Sequence, residues 1–380
     1  MGLIKIGIRH NLLYPSVFLL LIILERGIRY TLEDILSSVK LIVLLPTLQY
    51  CSDTLFGLFY ICCSNKTKKK SKEHVVYGVE LIQNEKEINK LDNDYKIILL
   101  IILSAFFDVN GILRRKYIKL FENLFLIKHI EIRIRSREVI ISSLLYYLTL
   151  KQKLYRHHKL TLTIIFICLI INIILEFIEH DYKTVIIHLI LMNCISIFRV
   201  FVDIIDKYLF EYNYLDLFKL LRFKGFMTIL VISPLYISKT SREEIEYFLD
   251  MEKDYKFILS ILLLVFYLFL SGVKTVYRLY TIKFYSPTTR AFIDSILDIF
   301  VIIYNNKIKP GHKEEIDIFF IIDLISTVIM VLCSLIYNDF LVLNFCGLAH
   351  NTYLEISKRA LSIELIENDN LNDESIFGYL

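Results

Sequence analysis

The chain has 380 residues, of which 56% are hydrophobic, with a mean hydropathy of +0.54 and a net charge of +4. Soluble domains run about 45–50% apolar. Here the excess lies in runs of roughly 15–25 residues, the length that crosses a bilayer as a helix, with the charges gathered between the runs. That pattern excludes a water-soluble enzyme, a secreted disulfide scaffold and a nucleic-acid-binding domain. It also excludes a porin-type barrel, whose strands alternate over about ten residues. An all-α, multi-pass protein of the lipid bilayer is expected.

In chain order the apolar runs predict ten helices, centred on Leu12–Tyr30, Ile35–Cys62, Tyr95–Leu113, Arg137–Leu150, Lys159–Ile178, Thr184–Tyr208, Leu217–Ile237, Tyr255–Tyr280, Thr288–Tyr304 and Ile316–Ile336. The first begins as a signal peptide would, with Lys5 and Arg9 before the apolar run. It lacks a small-x-small cleavage site, so it reads as an uncleaved first span. Residues 64–94 form a polar loop between the second and third helices, and residues 341–380 a tail. The tail ends in an acidic stretch (Glu364, Glu367, Asp369, Asp373, Glu374) expected to be disordered. None of the seven cysteines falls in a CxxC pair or at metal-ligand spacing with histidine. Reduced, buried thiols are therefore expected, with no metal and no cofactor. No nucleophile–base arrangement is visible, and catalysis is not expected.

Ten helices invite division into five and five, 1–178 and 179–340. Shifting the sequence by 153 residues brings Arg137 onto Arg290, Ile140 onto Ile293, Ser142 onto Ser295 and Leu144 onto Leu297. Both segments are short, begin with an arginine and precede a lysine-containing turn and one more long helix. Five spans per half would insert the halves with opposite orientation, the inverted-repeat plan of many carriers. The positive-inside rule then favours cytosolic termini, on the dense cluster Lys66, Lys68, Lys69, Lys70 and Lys72 together with Lys151, Lys153, Arg156 and Lys159. A solvated loop is the plain reading of Lys66–Lys72; contact with anionic lipid headgroups through Lys66, Lys68, Lys69 and Lys70 is the second.

Four stretches carry a resemblance. They are Lys153-Leu-Tyr-Arg-His-His-Lys159, Asp206-Lys-Tyr-Leu209, Lys283-Phe-Tyr-Ser-Pro-Thr-Thr-Arg-Ala-Phe-Ile-Asp-Ser295 and Ile336-Tyr-Asn-Asp339. In order and spacing they resemble helix junctions of the drug/metabolite transporters, in particular the F-type branch of solute carrier family 35. The resemblance spans roughly residues 95–345. It implies ten helices in an inverted five-plus-five arrangement and a secondary carrier for a small metabolite working by alternating access. The chain departs from that pattern at Glu138, at Lys224-Gly225 and at Ile296-Leu297-Asp298. These departures, with only 11 glycines for helices that must slide past one another, favour a rival reading: a membrane scaffold or partner-binding protein that keeps the fold without transport.

Charges inside spans cost about 2.5–3.5 kcal/mol each on insertion scales and mark function by default. Asp53, Asp108, Arg137, Glu138, Arg199, Lys274, Arg278, Arg290, Asp294, Asp298 and Asp323 fall in or beside the predicted helices. Arg290, Asp294 and Asp298 stand at i, i+4 and i+8 on one helix face, where they can satisfy each other. Alternatively, Arg137 and Arg290 face a shared cavity and hold an anionic substrate through bidentate guanidinium donors. Ser142, Ser143 and Ser295 would then supply neutral hydrogen bonds, and Asp294 and Asp298, one and two turns beyond Arg290, would belong to the same substrate site.

Overall fold

A computed structural model describes residues 4–6, 13–35, 44–67, 94–112, 137–151, 154–234, 255–307, 318–343, 348, 352 and 355. Within them lie ten α-helices: α1 (Leu13–Ile35), α2 (Leu44–Thr67), α3 (Asp94–Ile112), α4 (Arg137–Leu150), α5 (Arg156–Glu179), α6 (Tyr182–Glu211), α7 (Leu217–Ile232), α8 (Tyr255–Phe284), α9 (Pro287–Lys307) and α10 (Ile318–Tyr337). The side chains of Lys66 and Asp298, all of Lys68, Lys69 and Lys70, and the acidic tail lie outside the described residues.

The boundaries have local causes. Asp216 caps α7, accepting from the backbone N–H groups of Phe218 and Lys219, both at 3.2 Å. α7 stops at Ile232, short of the expected Ile237, because Pro234 follows and cannot continue a helical ladder. Pro287 opens α9 at the position where its missing N–H costs nothing, and Ser286 caps it by accepting from Thr289 N at 3.0 Å. The segment predicted as one helix from Ile35 to Cys62 divides differently. α1 runs on to Ile35, and α2 begins only at Leu44.

Three helices are long and apolar enough to cross a bilayer by themselves: Arg156–Ile178 in α5, Tyr182–Glu211 in α6 and Phe257–Phe284 in α8. Of the other expected spans, two stand apart by length or charge. α4 has only 14 residues, so it extends about 21 Å against a hydrocarbon core of about 30 Å. α9 carries Arg290, Asp294 and Asp298 within its 21 residues.

The burial pattern is inverted relative to a water-soluble protein. Asp53, Ser104, Arg137, Glu138, Asp203, Asp206, Lys224, Thr228 and Arg290 are buried, while Phe59, Leu99, Ile178, Leu262 and Val265 each expose more than 60% of their surface. Water-soluble domains rarely expose broad apolar faces, whereas lipid accepts them.

Successive helices alternate in direction. Tyr14 at the start of α1 stacks on Tyr280 and Phe284 at the end of α8, and Tyr60 near the end of α2 stacks on Phe218 at the start of α7. His157 at the start of α5 meets Asp339 beyond α10 at 3.2 Å. Lys207 near the end of α6 donates to the carbonyls of Lys283 and Tyr285. At this same end a short strand, β1 (Ile4–Ile6), pairs antiparallel with β2 (Leu341–Leu343), Ile4 opposite Leu343 and Ile6 opposite Leu341. The sequence reading did not anticipate this pair. It ties the segment before α1 to the segment after α10.

The packing partners follow a rule. α1 packs on α8 as α6 packs on α3; α3 on α7 as α8 on α2; α4 on α6 as α9 on α1; and α9 on α10 as α4 on α5. The pairs α2–α7, α4–α9 and α5–α10 map onto themselves when helices five apart are exchanged. α8 also touches α6, α7 and α9 without counterparts of similar extent from α3. At the α2–α7 crossing two glycines let the backbones approach. A Cβ on Gly57 would lie 2.8 Å from both the Phe218 carbonyl oxygen and the Arg222 nitrogen, and one on Gly225 would lie 3.0 Å from the Tyr50 oxygen and the Thr54 nitrogen. The contacts are reciprocal, since each glycine meets the residues three and seven positions before the other.

Candidate functional site

The buried charges assemble into one alternating row. On α6, Arg199, Asp203 and Asp206 fall at i, i+4 and i+7 and so share a face. Into that face project Glu138 from α4, Lys224 from α7, Arg278 from α8, and Arg290 and Asp294 from α9. Arg199 Nη1 donates to Glu138 Oε1 at 2.8 Å and Nη2 to Asp294 Oδ2 at 3.0 Å. Arg290 Nη2 donates to the same Asp294 oxygen, while its Nη1 donates to Asp203 Oδ2 at 2.9 Å and stands 3.8 Å from Glu138 Oε2. Arg278 Nη2 donates to Asp203 Oδ1 at 2.7 Å and lies 3.6 Å from Asp206 Oδ2. Lys224 Nζ closes the row on both oxygens of Asp206, at 2.7 and 3.0 Å, and Ser104 Oγ of α3 adds a weak bond at 3.4 Å.

Four carboxylates and four cations thus alternate from α4 to α7, and the row sums to zero charge. Such balance is what lets ionised groups survive out of water, because each ion lost to desolvation is compensated by close partners. Each of the four carboxylates lies within 4 Å of two cations. A second, smaller group lies beside it. Lys274 Nζ of α8 meets Glu25 Oε1 of α1 at 2.6 Å, Asp53 of α2 is buried close to it, and Asp108 of α3 lies against Tyr50.

The structure brings together part of the set named from the sequence. Arg290 and Asp294 sit in the row and pair at i, i+4 as their spacing suggests. Arg137 is buried on α4 next to Glu138, and its Nε donates to Ser196 Oγ of α6 at 3.1 Å, away from the paired oxygens. Ser142 Oγ reaches Thr288 Oγ1 of α9 at 3.5 Å. The hydroxyls of Ser143 and Ser295 fold back onto their own helices, donating to the carbonyls of Val139 and Ala291. The side chain of Asp298 lies outside the described residues.

Sequence reasoning missed Asp203, Asp206 and Lys224 as members of the site; it counted Glu138 among the charges inside the spans, and it read Lys224 only as a departure from a family pattern. The signal was present: charges at 199, 203 and 206 within a 30-residue apolar helix make a single polar stripe. Lys224 then reads as the counter-charge of Asp206, not as a lost family residue. Among the described residues no group of three or more histidine, cysteine, aspartate or glutamate side chains is placed to hold a metal ion. No protein-family model matches this chain, and no curated protein matches it either.

Proposed function

We propose that this protein is a multi-pass carrier of the drug/metabolite transporter type. On this reading all ten helices span the membrane as an inverted five-plus-five repeat, 1–178 and 179–340, and a small metabolite crosses by alternating access. The observation that carries the reading is the exchange rule in the helix packing, together with the reciprocal contacts of Gly57 and Gly225. Both are what a two-fold axis in the membrane plane would impose on equivalent helices α2 and α7. Five alternating helices per half give the halves opposite orientation, and substrate sites of such carriers lie at the repeat interface near the midplane. The row of charges runs along that interface, with α4 and α9 packed against each other beside it.

The preferred substrate is a small anion. Arg290 and Arg199 each hold two carboxylate partners, so an anionic solute would enter by replacing one of them on a guanidinium. The fork geometry of arginine suits carboxylate and phosphate alike. The same saturation favours a second reading, in which the row is a permanent structural seal and the protein serves as a membrane scaffold. Uptake into liposomes decides between the two. Purified protein should accumulate at least one member of a panel of organic anions above protein-free vesicles, and Arg290→Lys should impair that uptake. A panel that includes phosphorylated, carboxylated and neutral solutes, none of which is taken up, would favour the scaffold.

A further inference from the structure

Each carboxylate of the central row has cations against it, and Glu25 has Lys274. Asp53 does not. It sits nine residues into α2, about 13 Å along the helix axis from Leu44, and is only 3% exposed. Among the described residues it has no ion pair, and its Oδ1 has no hydrogen-bond partner.

The groups facing it are all committed elsewhere or carry no positive charge. From α8 come Lys274, held by Glu25; Arg278, held by Asp203; and Tyr267, which hydrogen-bonds with Glu25. From α3 comes Asp108, a like charge bonded to Tyr50. α7 brings Lys224, which is on Asp206, and Arg222, which lies over the Phe223 ring. Its own helix adds Tyr50 and Cys51. No further side chain can be inserted from α8, because Gly272 is already in tight contact with Ser52 and Phe56.

The hydrogen-bond arithmetic points the same way. The Thr275 hydroxyl carries one hydrogen, and at 3.0 Å it donates that hydrogen to the Ser271 carbonyl. That hydroxyl is therefore not free to donate to Asp53. An ionised Asp53 would also be an unpaired charge at depth in a span, the arrangement that membranes penalise most.

We infer that Asp53 is a proton-binding site, at which a carboxylate of α2 takes up one proton and becomes a neutral carboxylic acid. The step is the simple addition of H⁺ to an oxygen, with no electron transfer. The site follows from the geometry alone. Its use, proton coupling of the solute movement, rests on the carrier reading.

The test is infrared difference spectroscopy of the purified full-length protein in lipid as pH is varied, which needs no substrate. The native protein is expected to show a carboxylic-acid carbonyl band that Asp53→Asn lacks. If Asp53→Asn does not fold, Asp53→Glu makes the same assignment, because its band should lose the shift that carbon-13 labelling of aspartate gives the native protein. Absence of any band that depends on Asp53 overturns the inference, as does a band removed by sodium and not by choline, which would make the site one for an alkali cation. The two readings fail separately. A protein with the band but no transported solute loses the carrier reading and keeps the site, whereas a carrier without the band loses only the site.

Discussion

Removing Lys224 should be among the most damaging single changes in the protein, and removing its partner as well should repair much of the damage. The Asp206 side chain is 0% exposed and that of Lys224 9%, with the ammonium 2.7 Å from one carboxylate oxygen. At that separation and an effective dielectric constant of about 20 the attraction is about 6 kcal/mol. Taking both ions out of water costs several kcal/mol each, so the pair as a whole is close to neutral against two apolar side chains of similar size. Lys224→Met loses the attraction and keeps the desolvated carboxylate. What remains for Asp206 is Ser104 Oγ at 3.4 Å and Arg278 at 3.6 Å, and Arg278 is already bonded to Asp203.

The expected cost lies near the lower end of the 3–5 kcal/mol seen when one partner of a buried pair is deleted, about 3 kcal/mol. The double variant Lys224→Met/Asp206→Leu should lie within about 1–2 kcal/mol of the native protein, since removing both ions together is often neutral. Equilibrium unfolding in detergent micelles, followed by circular dichroism, gives the four corners of the cycle. With no tryptophan in the chain, the 25 tyrosines provide a second, independent optical probe. A coupling of at least about 2 kcal/mol is expected; additive effects, with coupling below about 0.5 kcal/mol, would refute the assignment of this pair as a buried, desolvated contact.

The helix crossings make a contrasting set. Gly57→Ala and Gly225→Ala would push a methyl into backbone atoms of the facing helix, so each should destabilise by about 1–3 kcal/mol in the same unfolding assay. Gly27→Ala, where nothing lies within 4 Å, should instead stabilise by about 0.5–1 kcal/mol. Arg290→Lys keeps the charge but cannot hold Asp203 and Asp294 at once. The loss of one charge-assisted bond, about 1.5–3 kcal/mol, predicts roughly ten- to hundredfold slower uptake of whichever solute is carried, and a well-expressed variant at the native rate would exclude it from the pathway. For topology, single cysteines at Lys68 and Asp369 should both resist an impermeant thiol reagent in intact cells and react after permeabilisation. A glycan on Asn65 would reverse the orientation.

The number of helices was legible in the sequence because lipid demands long apolar runs, and the charges between them mark the ends. Arg137–Leu150 begins and ends where the apolar run does. Boundaries moved where backbone chemistry, not hydrophobicity, decides them, as at Pro234. The site was legible only in part. Arg290 and Asp294 announce each other by spacing on one helix, but the partners of Asp203, Asp206 and Glu138 come from helices 18 to 152 residues away along the chain. No local pattern encodes that. The β1–β2 pairing escaped for the same reason, since three-residue strands at opposite ends of the chain carry no periodicity. The shift of 153 residues that aligned α4 with α9 does not carry over to α2 and α7, where Gly57 and Gly225 are 168 apart. On the proposed five-plus-five reading, loops of unequal length would hide the repeat from any single offset.

The row of charges also bears on how such a bundle could move. A buried salt bridge that must break outright costs several kcal/mol, because a bare ion is left in a low-dielectric setting. Here each carboxylate lies within reach of two cations: Asp203 of Arg278 and Arg290, Asp294 of Arg290 and Arg199, Asp206 of Lys224 and Arg278, Glu138 of Arg199 and Arg290. A helix can therefore give up one contact while the other holds, and the row can shift by partner exchange without stranding a charge. Glu138 is the one carboxylate of the row contributed by the first five helices; the others stand on α6 and α9. If the protein works as the proposed carrier, rocking of one half against the other would load that residue most. Glu138→Gln, which keeps the shape and removes the charge, should therefore alter the balance between inward-facing and outward-facing forms more than it alters stability, because Arg199 and Arg290 both retain Asp294. Cysteine cross-linking between the ends of α4 and α9, or distance distributions from paired spin labels there, reads that balance directly. Distributions identical to those of the native protein would mean that the row holds the halves together without taking part in their motion.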